Sequence, residues 1–197
     1  MKSRDEAFAL LSEYTKSESL IKHALSVEAA MRWYARHFEQ SDNEINKWGI
    51  TGLLHDFDYE QFPDPTPPDG HPYKGNKILE KLGYPQDMRD AIMGHAQYTG
   101  VERKTLMAKT LFAVDELTGL ITASVLVRPD RSLHTLTPKS VKKKMKDLRF
   151  AAGCNREDIR QGAEELGVDL TQHIQNVING MREVADQLGL AGVSAAE

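Results

Sequence analysis

Histidine and aspartate side chains occur at points where a helical chain could bring them together. The clearest are His23, the adjacent pair His55-Asp56, and Asp115. Imidazole and carboxylate groups bind divalent transition metals, and each ion needs several ligands held in fixed directions. Each residue also has an ordinary interpretation, because a lone histidine beside an apolar face is often a hydrogen-bonded core residue. Together they predict a metal site built from distant parts of the chain.

The His55-Asp56 pair follows a helical pattern that starts at the capping sequence 41–44 and is expected to reach about Asp56. Gly49 and Gly52 lie on the buried face of this predicted helix. The two ligand candidates are splayed by about 100° around that face, so both can reach one ion. The glycines should let a neighbouring helix approach closely.

His23 and Asp115 lie at the margins of apolar stripes on two other predicted helices. A carboxylate so close to a core is costly unless it is paired or bound to a metal. Asp115 therefore needs a partner, and the metal hypothesis supplies one.

Helical spacing dominates the whole sequence and predicts an all-α fold. The proline-rich stretch 62–72 is expected to be a loop, and 128–132 breaks the helical pattern. We predict a single domain (1–197) in which a core (17–127) is followed by a helical extension (138–190) of three helices separated near Gly153 and Gly167. An opening helix is expected at about 4–12, and the core helices at about 17–38, 41–56, 72–82, 85–94 and 103–127.

The composition excludes some classes of function. The 197 residues carry a net charge of −4 with a pI near 6.0, which argues against a general nucleic-acid binder but not against a small anionic substrate. One cysteine, Cys154, allows no internal disulfide, and no apolar run approaches membrane-spanning length or resembles a signal peptide. We expect a cytoplasmic protein with no nucleic-acid or membrane partner.

The ordered residues resemble the HD-domain superfamily of metal-dependent phosphohydrolases over about 17–127. The resemblance is carried by His23, Leu53-Leu54-His55-Asp56, the segment 71–79 beginning His71-Pro72, Gly94-His95 and Val114-Asp115-Glu116. It implies an HD-domain helical core, here with a C-terminal helical extension, and primary metal ligands at His23, His55, Asp56 and Asp115.

The resemblance also implies a second metal position. In binuclear branches two further histidines bind another ion, and His71 and His95 match them, with Asp56 as the expected bridge. One or two divalent ions (Mn, Fe, Ni, Co, Zn or Mg) would then serve a hydrolase that attacks a small phosphate ester or nucleotide through a metal-activated water. A non-haem di-iron oxygenase with the same ligands, or a metal-retaining sensor or scaffold without activity, is the alternative.

The chain departs from the superfamily pattern after the His-Asp pair. Many members continue with Ile/Leu-Gly-Lys, whose lysine can reach phosphate, whereas this chain has Phe57-Asp58-Tyr59-Glu60. Lys74 or Arg128 is the predicted replacement for binding a small anionic substrate. Asp58 is predicted to be catalytic as an acid–base group, with two alternatives: a carboxylate that orients a metal-bound imidazole, or an exposed loop acid, the interpretation preferred for Glu60.

The basic run Lys142–Lys146 in the extension also has two interpretations. Nearby acids favour an ordinary solvated face. Alternatively, one or two of these lysines fold over the site and hold the substrate.

Overall fold

The computed structural model describes residues 2–192, which form an all-α fold as the sequence predicts. This part of the chain contains ten α-helices, a short 3-10 helix at Gln97–Thr99 and no β-strand. The helices are α1 (Arg4–Tyr14), α2 (Glu18–His37), α3 (Asp42–Leu54), α4 (Tyr73–Lys81), α5 (Gln86–His95), α6 (Leu106–Leu126), α7 (Pro138–Met145), α8 (Arg156–Glu165), α9 (Leu170–Arg182) and α10 (Ala185–Leu188). None of those described is both long and apolar enough to cross a membrane.

The close packing of α2 on α3 confirms the prediction from the helical glycines. A Cβ atom added at Gly52 would stand 3.1 Å from the Val27 carbonyl oxygen and 2.9 Å from Met31 Cγ. Only a glycine lets the two backbones approach this closely. Because His23 lies one turn before Val27 in α2, this packing brings it towards the end of α3.

The helix α3 ends at Leu54, two residues before the predicted end. His55 caps it, and its ring Nδ1 donates a hydrogen bond of 2.7 Å to the Gly52 carbonyl. That bond satisfies a carbonyl that the ending helix leaves without an intrahelical donor. Asp56 therefore lies in the turn after the helix.

Glu60 links the loop after α3 to the start of α2. Its carboxylate is exposed, as expected, and accepts hydrogen bonds from the backbone N–H groups of Lys16 (2.8 Å) and Ser17 (3.0 Å). A carboxylate is favourable there because the N–H groups at a helix start lack partners and carry partial positive charge.

The C-terminal extension contains four helices (α7 to α10), so the prediction of three is wrong. The extra break lies at Val184, where φ and ψ of −123° and 19° leave the helical region before α10 begins. The breaks expected near Gly153 and Gly167 are present.

Two close contacts attach the extension to the core. Gly162 of α8 faces Ala113 of α6 so closely that an added Cβ would lie 2.5 Å from the Ala113 Cα atom. In α9, the buried His173 donates from Nε2 to the Ala113 carbonyl (2.9 Å) and accepts at Nδ1 from the Tyr34 hydroxyl (2.6 Å). Burial lowers the pKa of His173 to about 4, so this imidazole is neutral and structural.

Candidate metal centre

The first cluster of candidate ligands combines α2, α6 and the end of α3. His23 Nε2 lies 3.0 Å from Asp115 Oδ1, and His55 Nε2 lies 3.3 Å from the same oxygen. The Oδ2 atom of Asp56 stands 3.4 Å from His55 Nε2 and 3.9 Å from His23 Nε2. Side chains from α2, from α6 and from the end of α3 therefore place nitrogen and oxygen atoms around one small volume.

The second cluster uses the other oxygen of Asp56. Its Oδ1 atom lies 3.2 Å from His71 Nε2 and 3.3 Å from His95 Nε2. The structure thus brings all six predicted ligands together, and two groups, His23-His55-Asp56 and Asp56-His71-His95, have donor atoms spaced closely enough to hold an ion. The bridging position expected for Asp56 matches this geometry.

The protonation of the histidine rings also suits metal binding. The Nδ1 atoms of His55, His71 and His95 face the Gly52 carbonyl, the Asp58 carboxylate and the Ile92 carbonyl, respectively. A ring that donates from Nδ1 keeps a lone pair on Nε2, the atom then available to a metal. Two such atoms, His71 Nε2 and His95 Nε2, lie only 3.4 Å apart, and two lone pairs cannot bond to each other.

An unsatisfied buried atom supports the same fit. His55 is completely buried, and its Nε2 has no hydrogen-bond partner among the described residues. A buried nitrogen without a partner is costly. Ligands about 2.0–2.1 Å from a tetrahedral or octahedral ion lie roughly 3.0–3.4 Å apart, which most of the distances above match. The donor set therefore fits one or two divalent ions.

In the metal-free centre, the charges of the carboxylates and of the neighbouring imidazoles depend on one another. Burial alone would raise the pKa of Asp56 and Asp115, but the adjacent imidazoles, His55 foremost, outweigh it and hold both well below the usual range. Burial alone would lower the pKa of His71, yet hydrogen bonds to Asp56 and Asp58 raise it to about 9. Without metal, protons on His55 and His71 balance the carboxylates, because the pKa of both imidazoles is raised.

This balance predicts opposite pH dependences with and without metal. The raised pKa of His71 stabilises the metal-free fold fully below about pH 6.5, and that stabilisation is lost as pH rises to about 9, by as much as about 3 kcal/mol. Metal binding needs neutral imidazoles, so metal affinity should rise over the same range. Thermal unfolding of chelator-treated and Mn²⁺-loaded protein between pH 6.5 and 9 tests this. A metal-free stability that stays constant would contradict it.

Asp58 lies behind the centre rather than facing its open side. The side chain is only 1% exposed. Its Oδ1 atom accepts from His71 Nδ1 (2.7 Å), and its Oδ2 atom accepts from the backbone N–H of Gly75 (2.6 Å) at the start of α4. This position favours the alternative in which Asp58 orients a metal-bound imidazole, not the predicted acid–base role.

The Asp58→Asn variant should therefore bind metal more weakly without losing the fold. Removing the charge that holds the His71 ring should reduce metal affinity about 10- to 100-fold, the usual effect of changing a residue that supports a ligand. Metal titration followed by calorimetry measures the change. Asp64→Asn, an exposed acid in the following loop, is the matched control and should bind metal like the wild type. Unchanged affinity in Asp58→Asn would exclude the orienting role.

An open cavity of about 680 Å³ adjoins the centre. Five of the predicted ligands line it, namely His23, Asp56, His71, His95 and Asp115. Sequence reasoning missed the rest of its polar lining, which consists of Tyr59, Gln97, Tyr98, Glu116, Asn155 and Asp158. Glu116 stands beside a ligand in the sequence. Asn155 and Asp158 reach the cavity only because α8 packs on α6, and nothing in their local sequence indicates it.

Glu116 differs from Asp56 and Asp115, the two cavity aspartates at the metal centre, because its pKa is raised rather than lowered. Burial, assisted by the adjacent Asp115, raises the pKa of Glu116 to about 7. Its Oε2 atom accepts from the backbone N–H of Asn155 (3.1 Å). This carboxyl group can hold a proton near neutral pH.

The structure does not bring the predicted substrate-binding cations to this cavity. Lys74 Nζ is bonded to Asp69 (3.2 Å), and the Arg128 guanidinium is bonded to both oxygens of Asp130 (3.0 Å each). Neither residue lines the cavity, and the Lys142–Lys146 run lies along other surface grooves. A local acid binds each of these side chains, so the cavity lining gives no support to the predicted substrate contact of Lys74 or Arg128.

The all-helical fold and the two adjacent clusters of histidine and aspartate side chains define the class of protein as an α-helical protein with a candidate metal centre. The HD domain family matches residues 20–120, which contain all six candidate ligands. The chain belongs to the HD domain family, whose members are mostly metal-dependent hydrolases. Comparisons with curated proteins and with solved structures gave no match.

Proposed function

We propose that this protein is a metal-dependent phosphohydrolase acting on a small phosphate ester or nucleotide. The observation that carries the proposal is Asp56, whose two oxygens face two separate pairs of histidines. In two-metal hydrolytic sites a shared carboxylate spaces the ions to contact one phosphoryl group. When bound, such ions acidify water and take up charge that develops on phosphoryl oxygens.

The adjoining cavity supports an enzyme over a sensor or scaffold. A site that only retained metal would need no space beside its ligands, whereas here a cavity of about 680 Å³ opens onto five of them. The second group, Asp56-His71-His95, offers three protein ligands, which leaves coordination positions for water and substrate. A site of this form has room for a substrate beside its metal ions, as an enzyme requires.

The chain's own residues would do three things in the reaction. His23, His55, Asp115, His71 and His95 would hold the ions while Asp56 sets their separation. Asp58 would fix the ring of His71 through Nδ1. With two dications bound, the carboxylates of Asp56 and Asp115 would leave a net positive charge at the centre, which would bind phosphate without a lysine.

The test is a panel of phosphate monoesters, diesters and nucleotides assayed with protein purified without chelator, after its metal content is measured. We expect hydrolysis that chelation abolishes and that Mn²⁺, Co²⁺, Ni²⁺ or Mg²⁺ restores. Bound iron with oxygen consumption and no phosphate release would instead identify the di-iron oxygenase. If no compound of the panel is hydrolysed with any of these metals, the phosphohydrolase proposal is wrong.

A further inference from the structure

Two acidic side chains belong to the part of the cavity lining that does not consist of candidate metal ligands. Glu116 at the middle of α6 and Asp158 in the first turn of α8 both line the cavity. Among residues 2–192, no lysine or arginine contributes to the lining, and neither acid forms a salt bridge. Arg103 does not reach it, because its guanidinium binds both oxygens of Glu165 (2.6 and 2.8 Å).

Each of these carboxyl groups retains an oxygen for a ligand. Asp158 uses Oδ1 to accept from Gln97 Nε2 (2.6 Å), and Glu116 uses Oε2 to accept from the Asn155 backbone. In the described part of the chain, Asp158 Oδ2 and Glu116 Oε1 have no donor. The Gln97 contact fixes the orientation of the Asp158 carboxylate, so it is presented to the cavity rather than left to rotate.

Aromatic rings complete the same cavity. Tyr59 and Tyr98 line it and are 42% and 54% exposed. The Tyr98 hydroxyl donates to the His71 carbonyl (2.9 Å), and the Tyr59 ring packs edge-on against the His71 ring. Both rings are thus held beside the metal centre. Carboxylates together with tyrosine faces are the groups that bind ammonium ions, by charge and by cation–π attraction.

We propose that the substrate is a phosphate ester whose remaining part carries an ammonium group, which Asp158 and Glu116 bind while the phosphate lies at the metal centre. This rests on the proposed phosphohydrolase function and narrows its substrate class. The five candidate ligands that line the cavity mark the part of it where the metal, and hence the phosphate, would lie. The carboxyl groups of Glu116 and Asp158 disfavour esters that carry further negative charge, such as nucleoside polyphosphates.

Binding and turnover of matched esters test the proposal. We would compare ω-aminoalkyl, ω-hydroxyalkyl and ω-carboxyalkyl phosphates of two to four carbons on the metal-loaded protein, by calorimetry and by phosphate release. The best aminoalkyl ester should bind at least about tenfold tighter than its carboxyalkyl counterpart, equivalent to about 1.4 kcal/mol. In Asp158→Asn this ratio should fall towards one. Glu157→Gln, an exposed acid beside it that does not line the cavity, should keep the wild-type ratio.

The two readouts separate this proposal from the broader one. Binding in the expected order without phosphate release would support the ammonium site and oppose the phosphohydrolase. Phosphate release together with equal or tighter binding of the carboxyalkyl ester would support the phosphohydrolase and oppose the ammonium site. Failure of every aminoalkyl ester to bind would also overturn the ammonium site. So would a lower metal content in Asp158→Asn, because Asp158 would then be a metal ligand.

Discussion

The Asp56→Ala variant should lose at least about 10³-fold in kcat/KM, about 4 kcal/mol of transition-state stabilisation. Asp56 is the only candidate ligand that contributes one oxygen to each group, with Oδ2 towards His55 and Oδ1 towards His71 and His95. Its loss removes a ligand from both positions and the group that fixes their separation. Both metal content and activity should therefore fall.

The fold should survive this substitution because the Asp56 carboxylate contacts only the metal centre. Its ion-pair partners are the four candidate histidine ligands, and it lies in a turn rather than inside a helix. Circular dichroism and thermal unfolding would establish that the variant is folded. Asp64→Ala, in the next loop, is the control. Wild-type turnover in Asp56→Ala on an identified substrate would refute the proposed role.

The double variant His71→Ala/His95→Ala should lower the metal content from about two ions per chain to about one. Both Nε2 atoms face the same Asp56 oxygen, and they lie 3.4 Å apart, a spacing that suits two ligands of one ion. Removing both leaves the second group with one ligand, too few to hold an ion. The first group, His23-His55-Asp56, remains intact.

Elemental analysis after gel filtration, with kinetics on the same samples, measures this effect. Activity should fall along with the second ion if both metals take part in the reaction. His134→Ala, an exposed histidine outside the centre, is the matched control and should keep the full metal content. A wild type that binds one ion, with the same content in the double variant, would disprove the binuclear interpretation.

The sequence by itself determined the helical architecture and the chemistry of the centre. Apolar spacing defined the helices of the core within a few residues, because an amphipathic period of 3.6 is a local property. The close approach of a neighbouring helix to α3 was predicted from its glycines, and the structure shows that this helix is α2 at Gly52. His23 and Asp115 at helix margins, and the His55-Asp56 pair on a buried face, were recognisable because a polar group beside a core needs a partner. His71 and His95 followed from the family resemblance alone.

The local sequence could not decide which side chains complete the cavity. The sequence predicts Lys74 and Arg128 as its cations, but Asp69 and Asp130 bind these side chains outside the cavity. The local sequence of Asp58 indicates a catalytic acid, whereas in the folded chain its two oxygens accept hydrogen bonds from His71 and Gly75. Asp158 enters the cavity only because Gly162 lets α8 pack on Ala113 of α6. Contacts between residues distant in the chain depend on packing that only the folded structure specifies, and here that packing replaces the expected basic lining with an acidic one.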